Sequence, residues 1–96
     1  MVYLVTYDLK SMSKDYSALY DAIKSCGEWI HPLESVWIVD VSKRHLNADQ
    51  ITDILRAHMT QDDTLFVCQI DGMNRNGWMA RNAWQWLHTH EQRSNE

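Results

Sequence analysis

The run Val2-Tyr3-Leu4-Val5-Thr6-Tyr7 alternates its side chains and then stops on a carboxylate, Asp8. An acidic group at the end of a strand can hold a hard cation, or it can close the strand by accepting hydrogen bonds from the turn amides of Leu9, Lys10 and Ser11. Both readings of Asp8 stay open on the residues alone. Ser11, Ser13 and Ser35 do not form a Ser/His/Asp order with independent support, and Ser13 is placed to cap a helix. His88 and His90 are two residues apart on a helix, about 200° around its axis, so they cannot share an ion as an i, i+4 pair does. His58 falls on the core-facing side of a helix, with no Cys or carboxylate at ligand spacing. His31 and His45 carry no signal. Cys26 and Cys68 are in neither a C-x-x-C nor a finger spacing, which favours two reduced structural thiols.

The elements that position Asp8 follow from periodicity. Residues 2–7 are β-branched and aromatic, as in a central strand. Tyr16, Leu19, Tyr20, Ile23 and Cys26 recur at helical spacing, with Ser13 as N-cap, Asp15 in the first turn and Gly27 beyond the end. Residues 29–31 and 35–41 form a hairpin around Pro32-Leu33-Glu34. Asn47 and Gln50 make a capping box and Leu46 with Ile51 a hydrophobic staple for a second helix, whose inner face is Ile51, Ile54, Leu55 and His58. The nearly continuous apolar stretch from Thr64 to Asp71 predicts a buried strand. The order βαββαβ is the ferredoxin-like plan, an α+β fold with both helices on one face of an antiparallel sheet.

That plan leaves one face bare, with Tyr3, Tyr7, Trp29 and Trp37 among its candidates, and so large an apolar patch needs a cover. The tail, residues 77–87, reads as a helix with Ala80, Ala83, Trp84 and Leu87 on one side and Trp78 and Trp86 outside that stripe. Three tryptophans within nine residues suit the core, a symmetric dimer contact or a base-stacking platform. Tyr7, Trp37, Trp78, Trp84 and Trp86 are therefore the candidate dimer or partner contacts.

Ninety-six residues at 45% apolar composition hold one core, here a single domain over 1–96 with its centre in about 2–71 and a helical extension over about 77–90. The formal charge of −4 and the scattered basic residues, Lys43-Arg44-His45 and Arg75 with Arg81, lack the stripe of a dedicated nucleic-acid binder. No stretch is long enough to span a bilayer or to act as a leader, so the expected setting is cytoplasmic with no membrane partner.

The strand ending Tyr7-Asp8, the helix, Gly27, the hairpin ending Glu34-Ser35-Val36-Trp37 and the following helix and strand resemble the small CRISPR-associated nuclease and adaptor subunit of the spacer-integration complex. With the Gly77-Trp78…Ala83-Trp84-Gln85-Trp86 tail, the whole chain is similar to short bacterial proteins labelled SinR-like. The resemblance implies a ferredoxin-like homodimer and, for active members, metal-dependent cleavage of RNA or DNA with Asp8 as catalytic residue and metal ligand. Two symmetry-related Asp8 side chains would hold one Mg²⁺, or Mn²⁺ in its place, and a bound water would be the nucleophile. The chain departs from active members where they carry Arg and Lys, having Lys14-Asp15-Tyr16-Ser17-Ala18 and His31-Pro32-Leu33-Glu34. Its tail replaces a final strand that members lend to a partner. A catalytically silent dimeric module that binds a protein or nucleic acid is the alternative.

Overall fold

A computed structural model describes residues 1–94; the last two residues of the expected 1–96 domain lie outside the described residues. The elements run β1 (Val2–Asp8), α1 (Ser17–Ser25), β2 (Glu28–Leu33), β3 (Val36–Asp40), α2 (Ala48–Arg56), β4 (Thr64–Gln69) and α3 (Arg81–Ser94). The four strands form one antiparallel sheet in the order β2-β3-β1-β4, with β1 at its centre. This is an α+β architecture, a four-stranded sheet with helices on both faces.

The main core lies under α1 and α2. Leu19, Ile23 and Cys26 from α1 and its C-terminus, with Ile51 and Leu55 from α2, pack against Tyr3, Val5, Trp37 and Val39 of the sheet. Alternation puts every second residue of β1 and β3 on this side. Tyr3, Tyr7 and Trp37 are thus on the face the helices cover, the reverse of the sequence expectation, while Trp29, on the same side of the edge strand, stays 40% exposed. The other face carries Val2 and Ile38, and there α3 lays down Leu87, 2% exposed, with Trp84 and Trp86 packed alongside. Cover for the second face therefore comes from the same chain, but only over part of it.

Local signals act mostly as physics requires. Asn47 accepts from the Gln50 amide at 2.8 Å while the Gln50 side chain accepts from the Asn47 amide at 2.9 Å, so two orphan donors of α2 are satisfied. Leu46 and Ile51 share the core as the staple expects. Ser13 does not cap α1; that helix starts later, and Asp15 holds the Ser17 amide at 2.9 Å instead. Pro32 falls within β2, at the irregularity in its pairing with β3, which an edge strand tolerates because one row of its donors faces no partner. β4 is the other edge and is not buried: Phe66 is 61% exposed. His58 lies in the turn after α2, half-buried, and α3 starts at Arg81, leaving Trp78 in the preceding segment. Cys26 and Cys68 are free thiols, and burial raises the Cys26 pKa.

Candidate functional site

Two places on the second sheet face gather chemistry-bearing side chains, one at each end of β1. At its C-terminal end Asp8 pairs with Thr64 of β4, and Thr6 pairs with Phe66, so these four residues share a face. The Asp8 carboxylate is 64% exposed and stands 2.8 Å from Lys10 Nζ, beside a shallow hollow of about 270 Å³ lined by Thr6, Asp8, Thr64 and Phe66 among others. Among the described residues, none from α3 lines the hollow at that end. Lys10 is held more firmly protonated by its hydrogen bond to Asp8 and by that charge. The turn that follows is not bound by Asp8. Its Lys10 amide donates to Asp63 at 2.8 Å, and Asp63 also accepts from the Thr60 amide and from Tyr16 Oη. Burial opposes ionisation of Asp63, but these donors outweigh it and bring its pKa to about 2.

The remaining candidates divide. Tyr7 and Trp37 meet each other, Trp37 Nε1 donating to Tyr7 Oη at 3.0 Å, on the face under α1. Trp37 is 3% exposed, with His31 stacked on it at 3.9 Å and Tyr20 at 6.0 Å. Its surface is spent on the fold and is closed to a partner. Trp84 and Trp86 are half-buried against the second face, while Trp78 is 99% exposed. Asp8 and the five aromatics therefore do not form one site.

At the other end of β1 the register sets Val2 and then Glu28 opposite Asp40, and α3 brings His90 down onto them. His90 Nδ1 is 2.7 Å from Asp40 Oδ2 and 3.3 Å from Glu28 Oε2, and its ring stacks on Trp86 at 3.8 Å. Asp40 and His90 are buried, at 5% and 7% exposure. The other oxygen of Asp40 accepts from the Ser42 amide at 3.0 Å and from Ser42 Oγ at 2.5 Å. Burial works against the Asp40 charge, but the Ser42 and His90 contacts and the nearby amino terminus prevail and lower its pKa. Gly27 permits this arrangement: a Cβ there would stand 1.9 Å from the Asp40 carbonyl oxygen. Among the described residues, Glu28, Asp40 and His90 are the group of metal-capable side chains whose donor atoms converge, all within 4.8 Å of one another.

Sequence reasoning missed this second cluster. The His88/His90 spacing alone gives no ligand pair, whereas the spacing of His90 from Ala83 and Leu87, seven and three residues back, places it on the inward stripe of the same helix. No helix among the described residues is long and apolar enough to cross a membrane. Comparison of the chain with protein-family models, with curated proteins and with solved structures returns no match.

Proposed function

We propose that the protein is a homodimeric binding module on the ferredoxin-like plan, pairing through the end of the sheet that α3 leaves open. The strand order β2-β3-β1-β4, with α1 and α2 together on one face, supports the plan. The observation that carries the pairing is the patch around Phe66, an apolar ring 61% exposed beside Thr6 and the Asp8–Lys10 ion pair. A two-fold interface must be complementary to itself, and an acid and a base side by side next to an apolar anchor meet that condition. Asp8 of one copy can then face Lys10 of the other while the two Phe66 rings exclude water.

The same face, paired with the two-fold axis at Asp8 rather than at Phe66, supports a second reading, a metal-dependent endonuclease. Asp8 is exposed at the end of the central strand on the open face, so a two-fold axis there brings two such carboxylates together. One carboxylate, already matched by Lys10, is a poor Mg²⁺ ligand set in a single chain, and the fit depends on the pair. Asp8 from each copy would hold the ion, which when bound supplies an activated water for phosphodiester hydrolysis. The net charge of −4 and the Lys10 contact favour the silent module as the first reading.

Sedimentation equilibrium of the wild type and of Phe66→Asp tests the pairing. A dimer that becomes a monomer with an unchanged melting midpoint is the expected result; a wild-type monomer at every concentration removes the proposal. RNA and DNA, single- and double-stranded, incubated with Mg²⁺ or Mn²⁺ separate the two readings. Cleavage abolished by Asp8→Asn with the dimer intact establishes the nuclease, and an inert wild-type dimer leaves the binding module.

A further inference from the structure

We infer that Glu28, Asp40 and His90 form a binding site for a first-row transition-metal dication, with Zn²⁺ as the reference ion. The site is separate from the pairing surface: β1 spans seven residues between the two ends, about 20 Å at a strand's rise per residue. One ion cannot serve both.

Three elements each contribute one donor, β2 through Glu28, β3 through Asp40 and α3 through His90. Ligand atoms around a tetrahedral ion at roughly 2.0–2.2 Å stand about 3.3 Å apart. His90 Nδ1 and Glu28 Oε2 are already 3.3 Å apart, and His90 Nδ1 and Asp40 Oδ2, at 2.7 Å, need to open by about half an ångström to reach that spacing. The chemistry of the set selects the ion. The imidazole disfavours Ca²⁺ and Mg²⁺, which take oxygen ligands, and the set lacks the thiolates that suit soft ions, which leaves Zn²⁺ and its first-row neighbours. Three protein ligands also leave a coordination position for water, and a hollow of about 170 Å³ lined by Glu28, Asp40, Ser42 and Lys43 opens beside them.

Two of the three donors, Asp40 and His90, are held by contacts outside the cluster, unlike those of a solvated acidic patch. Ser42 takes up Asp40 Oδ1 with two hydrogen bonds and so aims Oδ2 at His90. The Trp86 ring fixes the imidazole plane from behind. Such supporting contacts set ligand orientation in metal centres. Asp40 and Glu28 bring two carboxylates together, with the Met1 amino group 3.8 Å from Asp40 and the Lys43 ammonium 3.8 Å from Glu28. A dication would take the place of the proton on His90 Nδ1, which leaves to solvent, and would tie α3 to both strands.

The test uses the full chain, freed of metal with EDTA and titrated with Zn²⁺ against a chromophoric chelator, with Co²⁺ as a spectroscopic probe. One ion per chain is expected, with visible Co²⁺ bands of a low-coordinate site. Glu28→Gln and His90→Ala are each expected to weaken binding about tenfold or more, and His88→Ala to leave it unchanged. Glu28 has a side chain 41% exposed, so its variant keeps the fold even if His90→Ala loosens α3. Absence of stoichiometric binding by the wild type overturns the assignment. So does binding that Glu28→Gln leaves intact, or that His88→Ala abolishes.

Discussion

Tyr16 Oη lies 2.9 Å from each carboxylate oxygen of Asp63, forty-seven residues away in sequence. With the Lys10 and Thr60 amides on the same carboxylate, one buried anion ties together the turn after β1, the start of α1 and the turn before β4. Its pKa of about 2 is below the ordinary aspartate value near 3.9. A carboxylate whose pKa is depressed by folding stabilises the native state above its unfolded pKa, and that contribution disappears as pH falls through the folded one. Stability should therefore drop between about pH 4 and pH 2. Asp63→Asn should lower the melting midpoint at pH 7 and flatten the acid limb over that interval, as followed by circular dichroism. An unchanged acid limb would show that other carboxylates set it.

How much of this was legible depended on whether the information was local. The cap of α2 was read from Asn47 and Gln50 because both partners lie within one turn. The two-sided character of β1 followed from alternation, but alternation does not say which side the helices will take, and Tyr7 and Trp37 were placed on the wrong one. The run Leu65 to Ile70 looked buried because an apolar stretch does not disclose its position in a sheet, and β4 proved to be an edge. Glu28, Asp40 and His90 were out of reach for a different reason. Asp40 and His90 are fifty residues apart, and they meet only because strand register and the docking of α3 coincide. At Asp8 the strand end was correctly located, while its partner, Lys10, replaced the turn amides that the sequence suggested.

Gly27 and Gly77 should respond oppositely to alanine. At Gly27 the new methyl would lie 1.9 Å from the Asp40 carbonyl oxygen, a backbone atom locked in the β2–β3 ladder, so the strands must part. A loss of about 3 kcal/mol is expected, the upper end for overpacking. At Gly77 the nearest atom is on the Trp84 ring at 3.7 Å, ordinary contact distance. Urea denaturation should show Gly77→Ala within about 0.5 kcal/mol of the wild type.

Two tryptophans of the tail, Trp78 and Trp84, and the neighbouring Leu87 should separate by burial. Trp78 is 99% exposed, and Trp78→Ala should leave stability unchanged. Trp84, half-buried against the second face, should cost about 1–2 kcal/mol on truncation, less than the 3 or more of a fully buried aromatic. Leu87 beside it is 2% exposed, and Leu87→Ala should cost about 2–4 kcal/mol. A Trp78→Ala variant that unfolds as readily as Leu87→Ala would mean that the segment before α3 packs against the protein in solution.

The capping box of α2 offers a prediction that tertiary packing does not confuse, because Asn47 and Gln50 are both exposed. Replacing Asn47 by Ala strips the Gln50 amide of its acceptor and leaves the reciprocal bond as the remaining half of the box. The expected loss is about 1 kcal/mol, and Asn47→Asp should retain most of the wild-type stability because Asp caps equally well. Its negative charge at a helix N-terminus also interacts favourably with the helix dipole, where Asp49 already sits in the first turn. Urea midpoints of the two variants, compared at equal slope, check this directly. A stable Asn47→Ala variant would show that burial of Leu46, Ile51 and Leu55 fixes the start of the helix without help from the cap.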